Sequence, residues 1–271
     1  MSNYTITSIC FGAKYIKIME KWKNRIFQKC CINPQIIVLN DKNIDLVKDI
    51  LNIDYNIDFK KYAWWDIFRL KHNLILLDKL KQPIINIDLD IIIEKNIEDI
   101  INLPYDIIIS KEIGEDKSYP LEFSKILGLG LCTGFYCIKP RSKVILDKIY
   151  LEMIKGENYS DQYNIMKYIC ENKKSIKKEN IILDTNIYTN YIIEIENITI
   201  CVLDFDIITR DPIVSNNQYG NHINIDNVGG SENFLKYFDN NLEDLPLTCR
   251  CGKKHLNDYN ECIHIKKRKL H

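Results

Sequence analysis

One apolar stretch carries two carboxylates at a spacing that few folds tolerate. Residues 83–93 form an apolar run of strand length that is interrupted by Asp88 and Asp90. Period-2 alternation places both acids on one side of a strand, with Leu89 on the other. Two carboxylates on one face of a buried strand are unfavourable unless a cation lies between them or the strand end is open. Because hard divalent cations prefer carboxylate oxygens, the stretch predicts a metal site.

The first 40 residues have the pattern of a strand, a helix and a second strand. Residues 4–11 alternate as a strand that Gly12 ends, residues 14–29 show helical spacing, and residues 35–39 are a short apolar strand. This order is typical of a βαβ unit. It predicts an α/β fold with a mostly parallel central sheet flanked by helices.

Ligands of such sheets bind beyond the carboxyl ends of the strands. The end of the first strand is therefore a candidate wall of a nucleotide pocket, although an ordinary structural role explains each of its residues equally well. The candidates are Thr7, Ser8, Cys10 and Phe11.

Residues 61–80 give the clearest helical pattern, with apolar side chains at i, i+3 and i+4. Asp66 and Arg69 are spaced as a surface ion pair, and a structural role is favoured for Asp66. Lys71 falls inside the apolar stripe, where a solvated charge is not expected. Arg69 and Lys71 are thus open between a structural role and contact with a phosphate.

Residues 126–138 carry three glycines and run into an apolar strand. Glycine lets the backbone approach a ligand closely, so Thr133 and Gly134 are candidates for contact with a sugar. A turn that leads into a strand explains the glycines too. The preceding residues 111–125 are polar and lack a clear period, and a loop of that length is often a functional lid.

Two later segments contain further candidates. Ser160 is a good helix N-cap, and an acid in the first turn suits the helix dipole, so Asp161 has a structural explanation. His222 precedes a glycine pair at 229–230, although a lone histidine is more often structural than a ligand. Cysteine and histidine in the tail from Thr248 would suit a zinc ion, but their spacing matches no strong zinc pattern.

Composition bounds the class of protein. The chain has 271 residues, of which 46% are hydrophobic, and 37 basic residues balance 37 acidic ones. No net field therefore points to nucleic acid or membrane partners. The N-terminus lacks a signal-peptide pattern, no apolar run approaches the ~20 residues of a membrane helix, and the cysteines form no disulfide framework. We expect a cytoplasmic location, with one main domain over residues 1–245 and a basic Cys/His-rich tail over 246–271.

Four segments in order resemble the GT-A fold glycosyltransferases, in particular the retaining, nucleotide-diphospho-sugar transferase type. The strand that ends in Asp88-Leu89-Asp90 looks like their DxD motif, and residues 131–136 resemble their Asn-Thr-Gly-Phe segment. Residues 160–162 are similar to their Asp-Gln helix start, and His222 is similar to their late metal-binding histidine. The resemblance covers about residues 4–240.

The resemblance implies a GT-A fold and transfer of a sugar from a nucleotide donor, expected to be a UDP-sugar, with retention of configuration. The acceptor, whether glycan, protein or lipid, stays open. Mn²⁺ or Mg²⁺ would be held by Asp88, Asp90 and His222. Asp161 and Gln162 would be the catalytic candidates. The donor-binding candidates would be Thr7, Ser8, Cys10, Phe11, Arg69, Lys71, Asp88, Leu89, Thr133, Gly134 and Lys236.

Several departures keep other classes open. Cys132 replaces the usual Asn, Ile91 replaces the aromatic residue after the DxD motif, and Lys236 is only the nearest candidate for a phosphate-binding lysine. One alternative is a degenerate glycan- or partner-binding protein that no longer turns over. Sugar-phosphate nucleotidyltransferases share the sheet, but residues 10–14 are poorer in glycine than their phosphate loop. A zinc-binding interaction protein is the third alternative.

Overall fold

The computed structural model describes residues 3–53, 56–112, 119–209, 218–223, 225, 230–238, 247–248 and 254–255. Strands and helices alternate over most of this range. The strands are β1 (Thr5–Phe11), β2 (Gln35–Leu39), β3 (Ile84–Ile87), β4 (Ile91–Ile93), β5 (Ile107–Lys111), β6 (Leu131–Ile138), β7 (Lys173–Leu183), β8 (Asn186–Ile195), β9 (Ile198–Leu203), β10 (Ile208–Thr209), β11 (Gly220–His222), β12 (Leu247–Thr248) and β13 (Lys254–His255). The helices are α1 (Ile16–Cys30), α2 (Ile44–Ile50), α3 (Trp64–Leu80), α4 (Glu98–Ile101), α5 (Leu121–Leu127), α6 (Lys143–Lys155), α7 (Asp161–Asn172) and α8 (Ser231–Phe238).

An eight-stranded sheet forms the centre of the molecule, in the order β2-β1-β3-β6-β5-β9-β8-β7. Three pairings are parallel, namely β1–β2, β1–β3 and β5–β9. The other four are antiparallel, because β6 runs against β3 and β5, and β7, β8 and β9 form a meander. The predicted α/β class is confirmed, whereas the expected mostly parallel sheet is a mixed one.

Two apolar cores lie on opposite faces of this sheet, and β1 contributes to both. Ile6 and Cys10 point into the core that contains α1. Ile9 and Phe11 point toward the core that contains α3, α6 and α7. Alternation along the strand therefore decides which residues of β1 face each layer. Gly12 ends the strand with a φ of +86°, a conformation that side chains disfavour.

The acidic stretch is not one continuous strand. β3 ends at Ile87, Asp88 to Asp90 form a turn, and β4 leaves the central sheet to pair with β11 in a second sheet of order β10-β11-β4. Period-2 alternation through Asp88 and Asp90 is therefore wrong as the reason for their proximity. The turn brings the two carboxylates together instead, at the open carboxyl end of β3.

Helix α1 holds β4 in place beside this turn. The indole nitrogen of Trp22 donates to the carbonyl of Ile91 at 3.1 Å, and Nε of Arg25 donates to the carbonyl of Ile93 at 2.9 Å. Trp22 is fully buried. Both side chains thus satisfy carbonyls of a strand that directly follows the acidic turn, which fixes where the turn ends.

Other predicted boundaries differ from the structure in two places. The expected loop at 111–125 contains helix α5, while residues 113–118 lie outside the described residues. The long strands β7 and β8 were not predicted, because the lysines of β7 obscure its alternation. The domain boundary at 245 and the zinc alternative stay predictions, since Cys249, Cys251, Cys262 and His264 are also outside the described residues.

None of the helices described here has both the length and the apolar composition that crossing a bilayer requires.

We expect Trp22→Phe to lower the free energy of unfolding by about 1–3 kcal/mol, because it leaves the buried Ile91 carbonyl without its donor. Urea unfolding followed by circular dichroism measures the change. Phe27 on the same helix is 52% exposed, so Phe27→Leu is the matched control and should stay within about 0.5 kcal/mol of the wild type. Equal losses in the two variants would contradict the role given to the indole hydrogen bond.

Candidate functional site

Three side chains with metal-ligating atoms converge at the carboxyl end of β3. One atom from each of Asp88, Asp90 and His222 lies within 4.8 Å of the others. Nε2 of His222 is 3.2 Å from Oδ1 of Asp90. The structure thus brings together the three residues that the sequence resemblance implied as metal ligands.

Strand pairing delivers His222 to the acids. β11 runs antiparallel to β4, with His222 opposite Ile91, and the amide of Ile223 donates to the carbonyl of Asp90 at 2.9 Å. On its other side, Nδ1 of His222 is 3.5 Å from Sγ of Cys132. The ring is therefore held between β6 and the acidic turn.

Gly134 allows the backbone of β6 to close against this cluster. Its carbonyl accepts a hydrogen bond from the amide of Asp88 at 2.7 Å. A Cβ atom at this position would lie 2.8 Å from Cε1 of His222 and 3.2 Å from Oδ2 of Asp88. A register shift in the β5–β6 pairing around Ile109 and Ser110 bends β6 at this point. Glycine is therefore required at position 134 so that β6 can pack closely against His222 and Asp88.

A single guanidinium ties the cluster to two helices. Arg69 of α3 donates to both oxygens of Asp161, from Nε at 2.9 Å and from Nη2 at 2.7 Å. Its Nη1 donates to Asp88 at 2.8 Å, and Nη2 lies 2.8 Å from Oδ1 of Asp66. The predicted Asp66–Arg69 pair does form, but both residues are buried rather than on the surface.

The charges of this group are strongly coupled. Burial alone would lower the pKa of Arg69, but Asp161, Asp66 and Asp88 raise it well above its usual value. Burial raises the pKa of Asp66 well above its usual range, although Arg69 acts in the opposite direction. Removal from water also raises the pKa of Asp88 despite Arg69, and Asp90 adds to the rise. Three carboxylates thus share one arginine while Asp90 acts on Asp88, so a further cation would stabilise the ionised acids.

A cleft of about 490 Å³ opens over these groups. Its polar wall contains Arg69, Asp88 and Asp90, and its apolar wall includes Phe11 and Trp65. The two rings are stacked, with centroids 5.5 Å apart and planes 17° apart. A cleft of this size with few converging polar groups is typical of a small-molecule site.

Among the predicted residues of β1, only Phe11 lines the cleft. Thr7 is buried and donates to the side chain of Asn73 at 2.8 Å. Cys10 is fully buried on the opposite face of the sheet, and its burial raises the pKa of its thiol to about 11. Ser8 is buried as well, and its hydroxyl has no hydrogen-bond partner within the described parts of the chain. The structure therefore does not bring Thr7, Ser8 or Cys10 into contact with the cleft.

The two predicted lysines are also away from the cleft. Lys71 lies over the ring of Tyr150 of α6, with its Nζ 5.1 Å from the ring centre. Lys236 is exposed on α8, which packs against α1. Neither lysine lines the cleft, whereas the predicted Leu89 does.

Thr133, Asp161 and Gln162 lie beside the arginine and at the start of α7. Thr133 accepts from Nη2 of Arg69 at 3.4 Å. Asp161 is fully buried, and the hydroxyl of Ser160 caps its helix as expected, accepting from Tyr163. Gln162 is half-buried and donates to the carbonyl of Tyr119.

Sequence reasoning missed two contributors on α3. Trp65 lines the cleft one helical turn before Arg69, and Asn73 one turn after it joins Thr7 to the hydroxyl of Tyr136 at 2.8 Å. The missed signal was the polar series Asp66, Arg69 and Asn73, whose spacing places polar groups on one buried helical face.

The donor set fits a divalent cation. Two carboxylates and an imidazole offer oxygen and nitrogen atoms within 4.8 Å of one another. Gly134 leaves no space for a side chain there, so the backbone closes one side while the cleft leaves another open to a ligand. The candidate site is thus built from three separate segments, namely the turn that contains Asp90, strand β6 with Gly134, and strand β11 with His222.

Comparison with known proteins gives matches only among solved structures. No protein-family profile matches the chain, and no curated protein matches it. Mouse xyloside xylosyltransferase 1 in its apo form resembles it at 11% identity and a TM-score of 0.39, over 61% of this chain and 81% of that one.

Two further structures show the same degree of likeness. A glycosyltransferase involved in the glycosylation of the major capsid of PBCV-1 is 14% identical with a TM-score of 0.38, over 60% of this chain and 73% of that one. The galactosyltransferase LgtC, in complex with donor and acceptor sugar analogues, is 11% identical with a TM-score of 0.36, over 59% and 69%. All three of these structures are glycosyltransferases.

We expect Gly134→Ala to raise the dissociation constant for Mn²⁺ by about tenfold or more, because the added Cβ displaces the imidazole of His222. Isothermal titration of the purified chain with MnCl₂ measures the change. A far-UV spectrum like that of the wild type would show that the variant is folded. Wild-type affinity in a folded variant would contradict the contact between Gly134 and the ligand set.

We expect Arg69→Met to lower the free energy of unfolding by about 3–5 kcal/mol, since it leaves buried carboxylates without their cation. Adding Asp161→Asn should recover part of that loss, because one of the unpaired charges is then removed. Lys71→Met on the same helix is the matched control and should cost no more than about 1 kcal/mol. Denaturant unfolding of Arg69→Met, Asp161→Asn, the double variant and Lys71→Met checks this. Additive losses in the double variant would argue against coupling between Arg69 and Asp161.

Proposed function

We propose that the chain is a metal-dependent glycosyltransferase that transfers a sugar from a nucleoside diphosphate sugar to an acceptor hydroxyl. The convergence of Asp88, Asp90 and His222 at the open end of β3, where the two acids line a cleft of about 490 Å³, carries the proposal. A diphosphate is a concentrated anion, and the site offers excess carboxylate charge for a bridging cation. The site therefore suits a diphosphate better than it suits a neutral ligand.

Asp88, Asp90 and His222 would hold the cation. Imidazole together with carboxylate favours Mn²⁺ over Mg²⁺. When bound, the ion supplies Lewis-acid stabilisation to the negative charge of the departing diphosphate.

The remaining residues bind, orient and position. Phe11 and Trp65 offer an aromatic wall for the nucleobase, which is uracil if the donor is a UDP-sugar as the family resemblance implies. Arg69 holds Asp88 in place for its ligand role through the 2.8 Å hydrogen bond. Thr133, which accepts from Arg69, would face the sugar.

Asp161 acts mainly as a positioning residue in this proposal. Both of its oxygens accept from Arg69, and its side chain is fully buried. Gln162 follows it at the start of α7 and keeps its carbonyl oxygen for a sugar or acceptor hydroxyl, since its amide nitrogen donates to Tyr119. Retention of configuration stays a prediction that the anomeric proton coupling of the product would test.

We expect the purified chain to release nucleotide from one member of a nucleotide-sugar panel in the presence of Mn²⁺, and EDTA to abolish the release. Asp90→Asn should lower the rate by about 100-fold or more, because it removes charge that binds the ion. Asp78→Asn is the matched control, since Asp78 is an exposed acid paired with Lys81, and it should behave as the wild type.

Nucleotide binding without release would indicate that an acceptor is required for turnover. Absence of both release and Mn²⁺-dependent nucleotide binding would exclude the transferase and favour the degenerate binding protein. Equal losses in Asp90→Asn and Asp78→Asn would mean that the acidic turn has no special role.

A further inference from the structure

A row of aromatic side chains continues from the cleft onto the surface. Trp65 lines the cleft, Tyr62 lies in the turn that precedes α3, and their ring centres are 6.1 Å apart with the ring planes at 71°. Tyr119 follows at 6.0 Å from Tyr62, and Tyr163 at 6.4 Å from Tyr119. The row therefore links the apolar wall of the cleft to the first turn of α7.

The outer members of the row present ring surface to solvent. Tyr62 is 69% exposed and Tyr119 is 42% exposed. Neighbouring large aromatic side chains that stay exposed beside a cleft are typical of a ligand-binding surface rather than of a core. Neither packing in the buried cores nor the cluster of Asp88, Asp90 and His222 explains why Tyr62 and Tyr119 lie here.

Among the described residues, the side chains that hydrogen-bond to Tyr119 are neutral amides. Nδ2 of Asn158 donates to the hydroxyl of Tyr119 at 2.8 Å, and Gln162 donates to the Tyr119 carbonyl. These contacts fix the Tyr119 ring in place. The neighbouring lysine, Lys61, points to the ring of Tyr159 and the carbonyl of Gly156 rather than into the row.

This chemistry matches a sugar ring. A pyranose has one face of C–H groups, which packs on the electron-rich face of an aromatic ring, and an edge of hydroxyls that pair with neutral amides. A phosphorylated lipid or an acidic peptide would need cations along the row. Gln162 lies beside the row and adjoins Asp161, so a ring stacked there would place a hydroxyl near the donor sugar.

We propose that Tyr62 and Tyr119 form a stacking platform for a carbohydrate and that the acceptor is a neutral glycan. Naming the glycan as acceptor rests on the proposed transferase function, whereas the platform itself rests on the aromatic row alone. The proposal places the acceptor on the α3–α7 side of the cleft, where the row continues outward from Trp65.

The test measures carbohydrate binding separately from donor turnover. The full chain would be titrated with lactose, cellobiose, maltotriose and xylobiose, with and without nucleotide and Mn²⁺, and followed by tryptophan fluorescence and saturation-transfer NMR. We expect at least one sugar to bind, Tyr62→Ala to weaken it by about tenfold, and Tyr62→Phe to retain it because the ring face stays. Phe27→Ala, which removes an exposed ring on α1, should bind as the wild type.

The outcomes separate the platform from the catalytic proposal. No binding by any sugar of the panel, or equal binding by Tyr62→Ala and the wild type, would overturn the platform. Binding of serine- and threonine-containing peptides in place of sugars, with loss in Tyr62→Ala, would also overturn the carbohydrate assignment. Sugar binding without Mn²⁺-dependent donor hydrolysis by the wild type would keep the platform and remove the transferase, and hydrolysis without sugar binding would do the reverse.

Discussion

The structure of the site depends on one buried cation. Arg69 lies on α3, one of its carboxylate partners starts α7, and another stands in the turn after β3. A guanidinium has five donors in a fixed plane, so one side chain can set the distances among three elements at once, which a lysine could not do. The cost of burying the charge is offset only while all three carboxylates are present. The same ion pairs therefore fix the positions of α3 and α7 and the geometry of the site.

The cleft separates its charged groups from its aromatic groups. Charge is concentrated where the acidic turn and Arg69 meet, while Phe11 and Trp65 give the cleft an aromatic part. A nucleotide sugar has the same division, with a diphosphate between a flat base and a sugar. The glycine of β6 and the histidine of β11 bring backbone and ring close to the charged wall, so the ion site has little room to rearrange. A metal site that also binds a substrate requires protein ligands that are held rigidly and a side that is open to the substrate.

The sequence predicted the class of fold, and its resemblance to a known family implied the grouping of Asp88, Asp90 and His222, but other contacts between distant segments were missed. Asp88 and Asp90 stood out because carboxylates are rare in an apolar run, yet the reason given, alternation along a strand, was wrong because the chain turns there. The antiparallel course of β6 could not be seen, since its apolar run reads the same in either direction. Lys71 and Arg69 looked alike on one helix, and only packing against α6 and α7 distinguishes them. Cys10 and Phe11 were both candidates for the pocket, but alternation sends them to opposite faces of β1, and only the packing of the layers shows that the Phe11 face meets the cleft.

His222 reaches the two acids from far along the chain, through a three-residue strand. Because side chains alternate, pairing β11 with β4 one residue out of register would turn the imidazole to the opposite face. All strands of the central sheet lie before Leu203, so they precede this histidine in the order of synthesis. The three ligand atoms meet only in a chain that is complete through β11 and paired in the right register. The grouping of these three side chains therefore distinguishes a finished, correctly folded chain from one that merely contains the sheet.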